Sequence, residues 1–91
     1  MDYKTLVTKT AESSGLSRSE AGKALAACRQ IILDSLKDGE VVKFVNLGTF
    51  RMSKYKATQR RDLNTHEIIA IPERYKPRFS FSKKAEEEVS L

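Results

Sequence analysis

The chain has 91 residues, of which 40% are hydrophobic and 32% charged, and its formal net charge at pH 7 is +5. This length predicts one small domain, a size at which a partner subunit often completes the hydrophobic core. No apolar run approaches the roughly 20 residues of a membrane span and none follows Met1, so we expect neither a span nor a signal peptide.

One apolar stripe predicts a first helix over residues 3–14, and its members are Tyr3, Leu6, Val7 and Ala11. Asp2 is a suitable N-cap for this helix, and Gly15 is a natural terminator. Ser17 is followed three residues later by Glu20, which together form a capping box. A second helix is therefore predicted to begin just after a short turn.

The second helix is predicted to run to about Lys37, where Asp38-Gly39 ends it. A wide apolar stripe follows it at helical spacing: Ala21, Ala24, Leu25, Cys28, Ile31, Ile32, Ser35 and Leu36. Cys28 is interpreted as a small core residue. As the only cysteine it excludes an internal disulfide framework and a cysteine-rich zinc site, and it fits a reducing cytoplasm.

Strand patterning replaces helical patterning in the second half of the chain. A β-branched and aromatic run predicts a strand over 41–45, and Asn46-Leu47-Gly48 predicts a tight turn into a second strand over 49–56. A third extended segment is predicted over about 67–81, running through both prolines. With a short last helix over 83–89, the predicted order is α-α-β-β-β-α.

The net charge is concentrated in one segment. Residues 50–78 carry eight Lys/Arg against three Asp/Glu, whereas residues 1–49 carry seven against six and residues 79–91 two against three. A localised basic segment is typical of a polyanion binder, although a solvated lysine-rich surface has the same composition. The candidate contact residues in it are Arg51, Lys54, Lys56, Arg60, Arg61, Arg74, Lys76 and Arg78.

Large apolar side chains are sparse between residues 51 and 61, where only Met52 and Tyr55 qualify and basic residues interrupt every face. A ribbon without a covered face is barely stable alone, so we expect an external partner, and the basic charge favours nucleic acid. Elsewhere the apolar side chains exceed what two short helices can cover, which predicts a core shared by two copies. The predicted dimer core contains Leu25, Cys28, Ile32, Val42, Phe44, Leu47, Phe50 and Phe79.

Several short motifs also match one known family in order and spacing, without gaps. They are Leu16-Ser17, Leu47-Gly48-Thr49-Phe50, Arg61, Thr65, the Ile69/Ile71 alternation, Pro77-x-Phe79 and Ser82-Lys83-Lys84. On these residues the sequence resembles HU and integration host factor, the bacterial nucleoid-associated DNA-bending proteins, over essentially its full length.

The resemblance implies an α+β fold in which two chains form an intertwined dimer. In one domain over 1–91, residues 1–49 would supply a helical hairpin and dimerisation body and 50–78 a protruding β-ribbon arm. Residues 79–91 would supply the last strand end and a short C-terminal helix. A three-stranded antiparallel sheet would join these parts.

The resemblance also implies that each arm wraps around DNA in the minor groove and kinks it with an apolar wedge near the tip. Relatives commonly read Gly-Arg-Asn-Pro-x-Thr-Gly there, whereas residues 60–66 of this chain read Arg-Arg-Asp-Leu-Asn-Thr-His. Leu63 thus replaces the wedge proline, and Asp62 adds a negative charge near phosphates. The tip glycines are gone, although Asn64 can adopt a positive φ more readily than most residues, and Asn64 is also a candidate DNA contact.

A second departure concerns the charged face of the arm. Relatives often carry arginine where this chain has Ser53, Tyr55 and Thr58. Alternation puts Lys54 and Lys56 on the other face, so the basic residues of the returning strand are expected to compensate.

Contacts from the body are also expected. Lys83 and Lys84, with the amides of a helix capped by Ser82, are predicted to hold a phosphate. Asn46 is either a polar contact or a turn residue, and Gly48 is interpreted as a backbone requirement.

The predicted function is an architectural DNA-binding protein that bends or compacts duplex DNA as a homodimer with little sequence preference, in the cytoplasm and on the nucleoid. A heterodimer with a paralogue, a site-specific bender, and an arm that clasps an acidic protein are the alternatives. No nucleophile–base pair, phosphate-binding glycine loop or metal constellation is apparent, so no enzyme, cofactor, small-molecule substrate or membrane partner is predicted. The single histidine, His66, is interpreted as a loop residue.

Overall fold

The computed structural model describes residues 1–90, and its contacts divide the chain into two compact units, Met1–Ser35 and the part from Leu36 onward. The helices are α1 (Tyr3–Ser14), α2 (Arg18–Lys37) and α3 (Lys83–Val89). The strands are β1 (Val42–Phe44), β2 (Gly48–Tyr55), β3 (Thr58–Arg61), β4 (Ile68–Ile71) and β5 (Arg74–Phe81). The α+β class is as predicted, with five strands where three were expected.

The predicted ends of α1 are confirmed. Asp2 Oδ1 accepts a hydrogen bond of 2.9 Å from the Thr5 amide, and this bond holds the pKa of Asp2 below its ordinary value. Gly15 has a φ of 75° and donates its amide to the Ala11 carbonyl at 3.0 Å. A left-handed glycine of this kind ends a helix because only glycine adopts that conformation without steric cost.

The capping box at the start of α2 is also confirmed, with both of its reciprocal hydrogen bonds. The Glu20 amide donates to Ser17 Oγ at 3.0 Å, and the Ser17 amide donates to Glu20 Oε1 at 2.9 Å. The bond from the Ser17 amide lowers the pKa of Glu20. At the other end, Gly39 has a φ of 79° just after the helix, as the Asp38-Gly39 signal predicted.

The main sheet is antiparallel and three-stranded, as expected, with strand order β1-β2-β5. β1 pairs only with the start of β2, from Gly48 to Phe50, so beyond Phe50 the sheet has two strands. β3 and β4 form a separate two-stranded ribbon. The two-stranded part therefore begins at Arg51.

The predicted second strand and third extended segment are each wrong in one respect, because both are interrupted. Lys56 and Ala57 separate β2 from β3, and Pro72 and Glu73 separate β4 from β5. Pro72 has no amide hydrogen to continue the ladder of hydrogen bonds, which explains the break on its side. Pro77 is tolerated within β5 because that strand lies at the sheet edge.

The main sheet has one largely apolar face, whereas the sequence of residues 51–61 predicted that basic residues interrupt every face. The register aligns Val42, Phe44, Phe50, Met52, Tyr75, Pro77, Phe79 and Phe81 with Gly48 and Lys54 on this face. The returning strand supplies apolar side chains that β2 lacks. Phe79 packs against Phe50 and Phe81, with ring centroids 4.5 and 4.8 Å apart.

Burial within one chain is slight. Among the described residues the buried hydrophobic side chains are Ala11, Ala21, Leu36 and Ala85, and no large side chain is fully buried. The residues predicted for a dimer core are half-buried (Leu25, Ile32, Val42, Leu47, Phe50, Phe79) or exposed (Cys28, Phe44). Cys28 is thus not a core residue of the single chain. No helix in the described part is long and apolar enough to cross a membrane.

Candidate nucleic-acid interface

The two-stranded extension of the main sheet, residues 51–55 and 74–78, is called here the near arm. Side chains alternate across its two faces, and cross-strand partners share a face. The basic face consists of Arg51, Ser53, Tyr55, Arg74, Lys76 and Arg78. The returning strand does supply the positive charge that β2 lacks at Ser53 and Tyr55, as expected.

The charges of the basic face are not neutralised within the face. Arg51 lies directly opposite Arg78, and none of the six residues is acidic. Like charges opposite each other destabilise a sheet, so this arrangement works against folding unless an anion occupies the face. The electrostatics therefore indicate a polyanion-binding surface.

Tyr55 stands at the centre of the cations on this face. Its ring centroid lies 5.0 Å from Arg74 Cζ and 5.7 Å from both Lys76 Nζ and Arg78 Cζ. Arg78 Nε also donates a hydrogen bond of 3.0 Å to Tyr55 Oη. Sequence reasoning missed Tyr55 as a member of the site, because the contacts depend on cross-strand register.

Lys54 and Lys56 lie apart from the basic face. Lys54 shares the apolar face with Tyr75, as alternation predicted, and its Nζ is 3.3 Å from Glu73 Oε1. Both side chains of this ion pair are about half exposed, so the pair adds little stability. Lys56 is exposed in the break between β2 and β3.

The ribbon of β3 and β4 is called here the far arm. It places two consecutive candidate contact residues, both arginines, on different faces. Arg60 lies opposite Ile69 and Arg61 opposite Ile68, so the consecutive arginines point to opposite faces. Both are exposed. Each arginine therefore shares its face with a cross-strand isoleucine and not with the other arginine.

The tip loop presents Leu63 to solvent. Asp62 Oδ1 accepts hydrogen bonds from the amides of Asn64 at 2.7 Å and Thr65 at 3.4 Å, while the Asp62 amide donates to the Glu67 carbonyl at 2.8 Å. This network closes the loop on both sides. Leu63, at the turn, is 90% exposed.

The tip residue with a positive φ is His66, at 63°, and not Asn64, whose residue type adopts that conformation readily. The His66 amide donates to the Asp62 carbonyl at 2.9 Å, a closure that requires the left-handed conformation at the loop's end and not at its middle. The signal was present in the sequence, since His66 occupies the position of the second tip glycine of relatives. Asn64 is exposed beside Leu63.

The expected body contacts lie at the other end of the main sheet. Asn46 has a φ of 60° in the turn between β1 and β2, so turn geometry accounts for it. The Ser82 amide donates to the Leu47 carbonyl at 2.9 Å, which ties this turn to the start of α3, where Lys83 and Lys84 are exposed. Gly48 is a backbone requirement, since a Cβ there would clash with the Ser80 carbonyl and lie 2.6 Å from Phe79 Cζ.

A helical hairpin, a three-stranded sheet, and a β-arm with an uncompensated basic face define an arm-bearing DNA-binding protein. Within residues 1–90, no three His, Cys, Asp or Glu side chains are arranged so that they could hold a metal ion. The family described as "Bacterial DNA-binding protein" matches residues 1–90. The chain therefore belongs to this family of HU-type, non-enzymatic DNA-binding proteins, which confirms the resemblance.

Individual relatives cover nearly the whole chain. DNA-binding protein HU of Clostridium pasteurianum is 33% identical over 90 residues, covering 99% of both chains. DNA-binding protein HU 1 of Bacillus subtilis is 32% identical, covering 99% of this chain and 98% of its own. The HU chain of an Anabaena HU–DNA cocrystal structure superimposes with a TM-score of 0.88 at 30% identity, covering 99% of this chain and 98% of that one.

Proposed function

We propose that this protein binds duplex DNA as a homodimer, grips its backbone with the basic face of the near arm, and bends it with Leu63 at the arm tip. The observation that carries the proposal is the basic face, where four cations and no carboxylate share one side of a two-stranded ribbon. A row of backbone phosphates complements the charge of this face, and contacts with phosphates give affinity without reading the base sequence. Arg51, Arg74, Lys76 and Arg78 form the proposed contact set there, and Lys54 is left out because it faces the other way beside Glu73.

Leu63 is the proposed wedge between base pairs. A leucine that is 90% exposed costs solubility unless it meets an apolar surface, and the unstacked faces of a base step offer one. Unstacking costs roughly a few kcal/mol per step, which the extra contacts made by bent DNA offset. Arg61 and Asn64 lie within two positions of Leu63 on the chain and are proposed to contact the adjacent groove, with Arg60 and Lys56 adding phosphate contacts.

A second copy of the chain is the proposed partner for the apolar surface. The predicted dimer-core side chains of β1, β2 and β5 share one face of the sheet, and none of the eight predicted core residues is buried in the single chain. Cys28 gives a direct test, because its thiol is exposed in one chain. Alkylation of Cys28 should slow as concentration drives dimer formation measured by sedimentation; a monomer with a rapidly reacting thiol would contradict the dimer.

Further backbone contacts are proposed at Asn46, in the turn before β2, and at Lys83 and Lys84, at the start of the helix that is hydrogen-bonded to this turn. As a DNA-binding protein of a bacterial family, the chain is proposed to act in the cytoplasm, on the nucleoid.

The bending experiment uses a random-sequence duplex labelled at both ends for energy transfer. We expect the wild type to bring the ends together and Leu63→Ala to bend less while its affinity changes little. Leu16→Ala, which truncates an exposed leucine in the helical hairpin, is the matched control. If the wild type binds without any change in energy transfer, it does not bend DNA. If Leu63→Ala bends DNA as much as the wild type does, Leu63 is not the wedge.

Sequence preference is tested by comparing the random duplex with duplexes selected from a pool. We expect similar affinities, because phosphate contacts carry no direct sequence information. One selected sequence held far more tightly than the random duplex would favour a site-specific bender.

A further inference from the structure

The surroundings of Tyr55 combine a charge cluster with a hydrogen bond between side chains that lie 23 positions apart. The cations of Arg74, Lys76 and Arg78 all lie within about 6 Å of the ring centroid, the range of cation–π attraction. The negative ring face reduces the repulsion among these cations. The ring therefore holds three positive side chains together on one side of the near arm.

The hydrogen bond leaves both partners with unused donors. Arg78 donates through Nε, one of its five N–H groups, so the terminal guanidinium nitrogens keep theirs. The Tyr55 hydroxyl accepts this bond with one lone pair and retains its own proton for a second partner. Accepting a bond from a cation also polarises the O–H group and strengthens it as a donor.

The geometry points to a phosphate-binding site formed by Tyr55 and Arg78. The Tyr55 hydroxyl and the terminal N–H groups of Arg78 donate to the oxygens of one backbone phosphate of duplex DNA. Arg74 and Lys76 raise the positive potential around that phosphate, and Tyr55 positions all three cations. This assignment rests on the proposed binding of DNA by the basic face. Relatives often carry arginine at the position of Tyr55, so the contact here would come from a neutral hydroxyl group and not from a charged guanidinium.

Tyr55→Phe tests the site because it keeps the ring and removes the hydroxyl. Binding to a random-sequence duplex is measured by fluorescence anisotropy over a salt series. We expect the Kd to rise about tenfold, the effect of losing one hydrogen bond to a charged group. The slope of log K against log salt should stay unchanged, because the hydroxyl is neutral, whereas Arg78→Ala should reduce it by about 0.9 for each phosphate that is no longer neutralised.

Tyr75→Phe is the matched control, since Tyr75 lies on the opposite face of the same two strands. It should bind DNA as the wild type does. Thermal unfolding of all variants separates loss of the site from loss of the fold, and the double variant Tyr55→Phe/Arg78→Ala should lose less affinity than the two single variants together.

A second measurement identifies the phosphate itself. On a duplex short enough to hold one dimer in one register, a single uncharged methylphosphonate at each backbone position in turn should reveal two positions, one for each protomer, at which wild-type binding falls more than Tyr55→Phe binding does. Additive single variants, an unchanged Kd for Tyr55→Phe, or a uniform response along the backbone would overturn the site. Each of these three outcomes would overturn the phosphate site even if the wild type binds and bends DNA. A wild type that binds DNA without bending it would instead contradict the proposed function and leave the phosphate site intact.

Discussion

Arg51 and Arg78 lie directly opposite each other across β2 and β5, on a face that contains no acidic residue. A like-charged cross-strand pair lowers the stability of a sheet. The proposed anion-binding role of the basic face therefore comes at a cost to folding, and the two effects should separate on mutation.

Arg51→Gln is expected to raise the free energy of unfolding by about 0.2–1 kcal/mol at low salt, since it removes the repulsion from Arg78. The same change should weaken DNA binding and reduce the salt slope by about 0.9, the value for one phosphate that the arginine neutralises. Urea unfolding and a binding titration measure the two effects. Lys54→Gln, on the opposite face, is the control and should leave DNA affinity unchanged. An Arg51→Gln protein that binds DNA as tightly as the wild type would contradict the assignment of Arg51 to the DNA-contacting face.

Asp62→Asn is expected to tighten DNA binding several-fold at low salt. Asparagine keeps an oxygen that can accept the amides of Asn64 and Thr65, so the loop stays closed, while the negative charge near phosphates is removed. Asp62→Ala should instead open the loop and speed amide exchange over residues 62–67. Weaker binding by Asp62→Asn would show that the carboxylate does more than close the loop.

Gly48→Ala is expected to destabilise the protein by about 1–3 kcal/mol, because the added Cβ meets the Ser80 carbonyl and the Phe79 ring. Gly22→Ala provides a control of opposite sign. Its Cβ would lie 3.8 Å from Val7 Cγ1, an ordinary contact, and alanine in a helix interior is favoured over glycine by about 0.5–1 kcal/mol. Urea unfolding of both variants measures the two effects. If the two variants changed stability equally, β5 would be able to move away from the added Cβ at little cost.

The features that the sequence predicts well are those whose partners lie within a few residues. Asp2 and the Ser17–Glu20 box bond to amides three positions away, and Ser82 accepts the Ala85 amide at 3.1 Å in the same way. A pattern of residue types is enough to specify such bonds. The starts of all three helices were predictable for this reason.

The features that escaped prediction depend on contacts made across the sheet or the loop. Tyr55 reaches Arg78 only when β2 and β5 pair in the observed register. His66 takes its positive φ because its amide bonds back to the Asp62 carbonyl, a closure that residue preferences alone do not locate. Composition identified the basic segment, but strand register decides which of its residues act together.

Acidification should weaken the two helix starts that Asp2 and Glu20 cap. Hydrogen bonds from the amides of Thr5 and Ser17 lower the pKa values of these carboxyls in the folded protein. Their contribution to stability is therefore complete above about pH 4.3, the ordinary pKa range of such groups, and is lost as the pH falls through the lowered native values. Asp2→Asn/Glu20→Gln keeps the capping oxygens but cannot ionise. The stability difference between the wild type and this variant, measured by urea unfolding, should shrink from pH 7 to about pH 3, whereas a constant difference would mean that ionisation of the caps does not contribute.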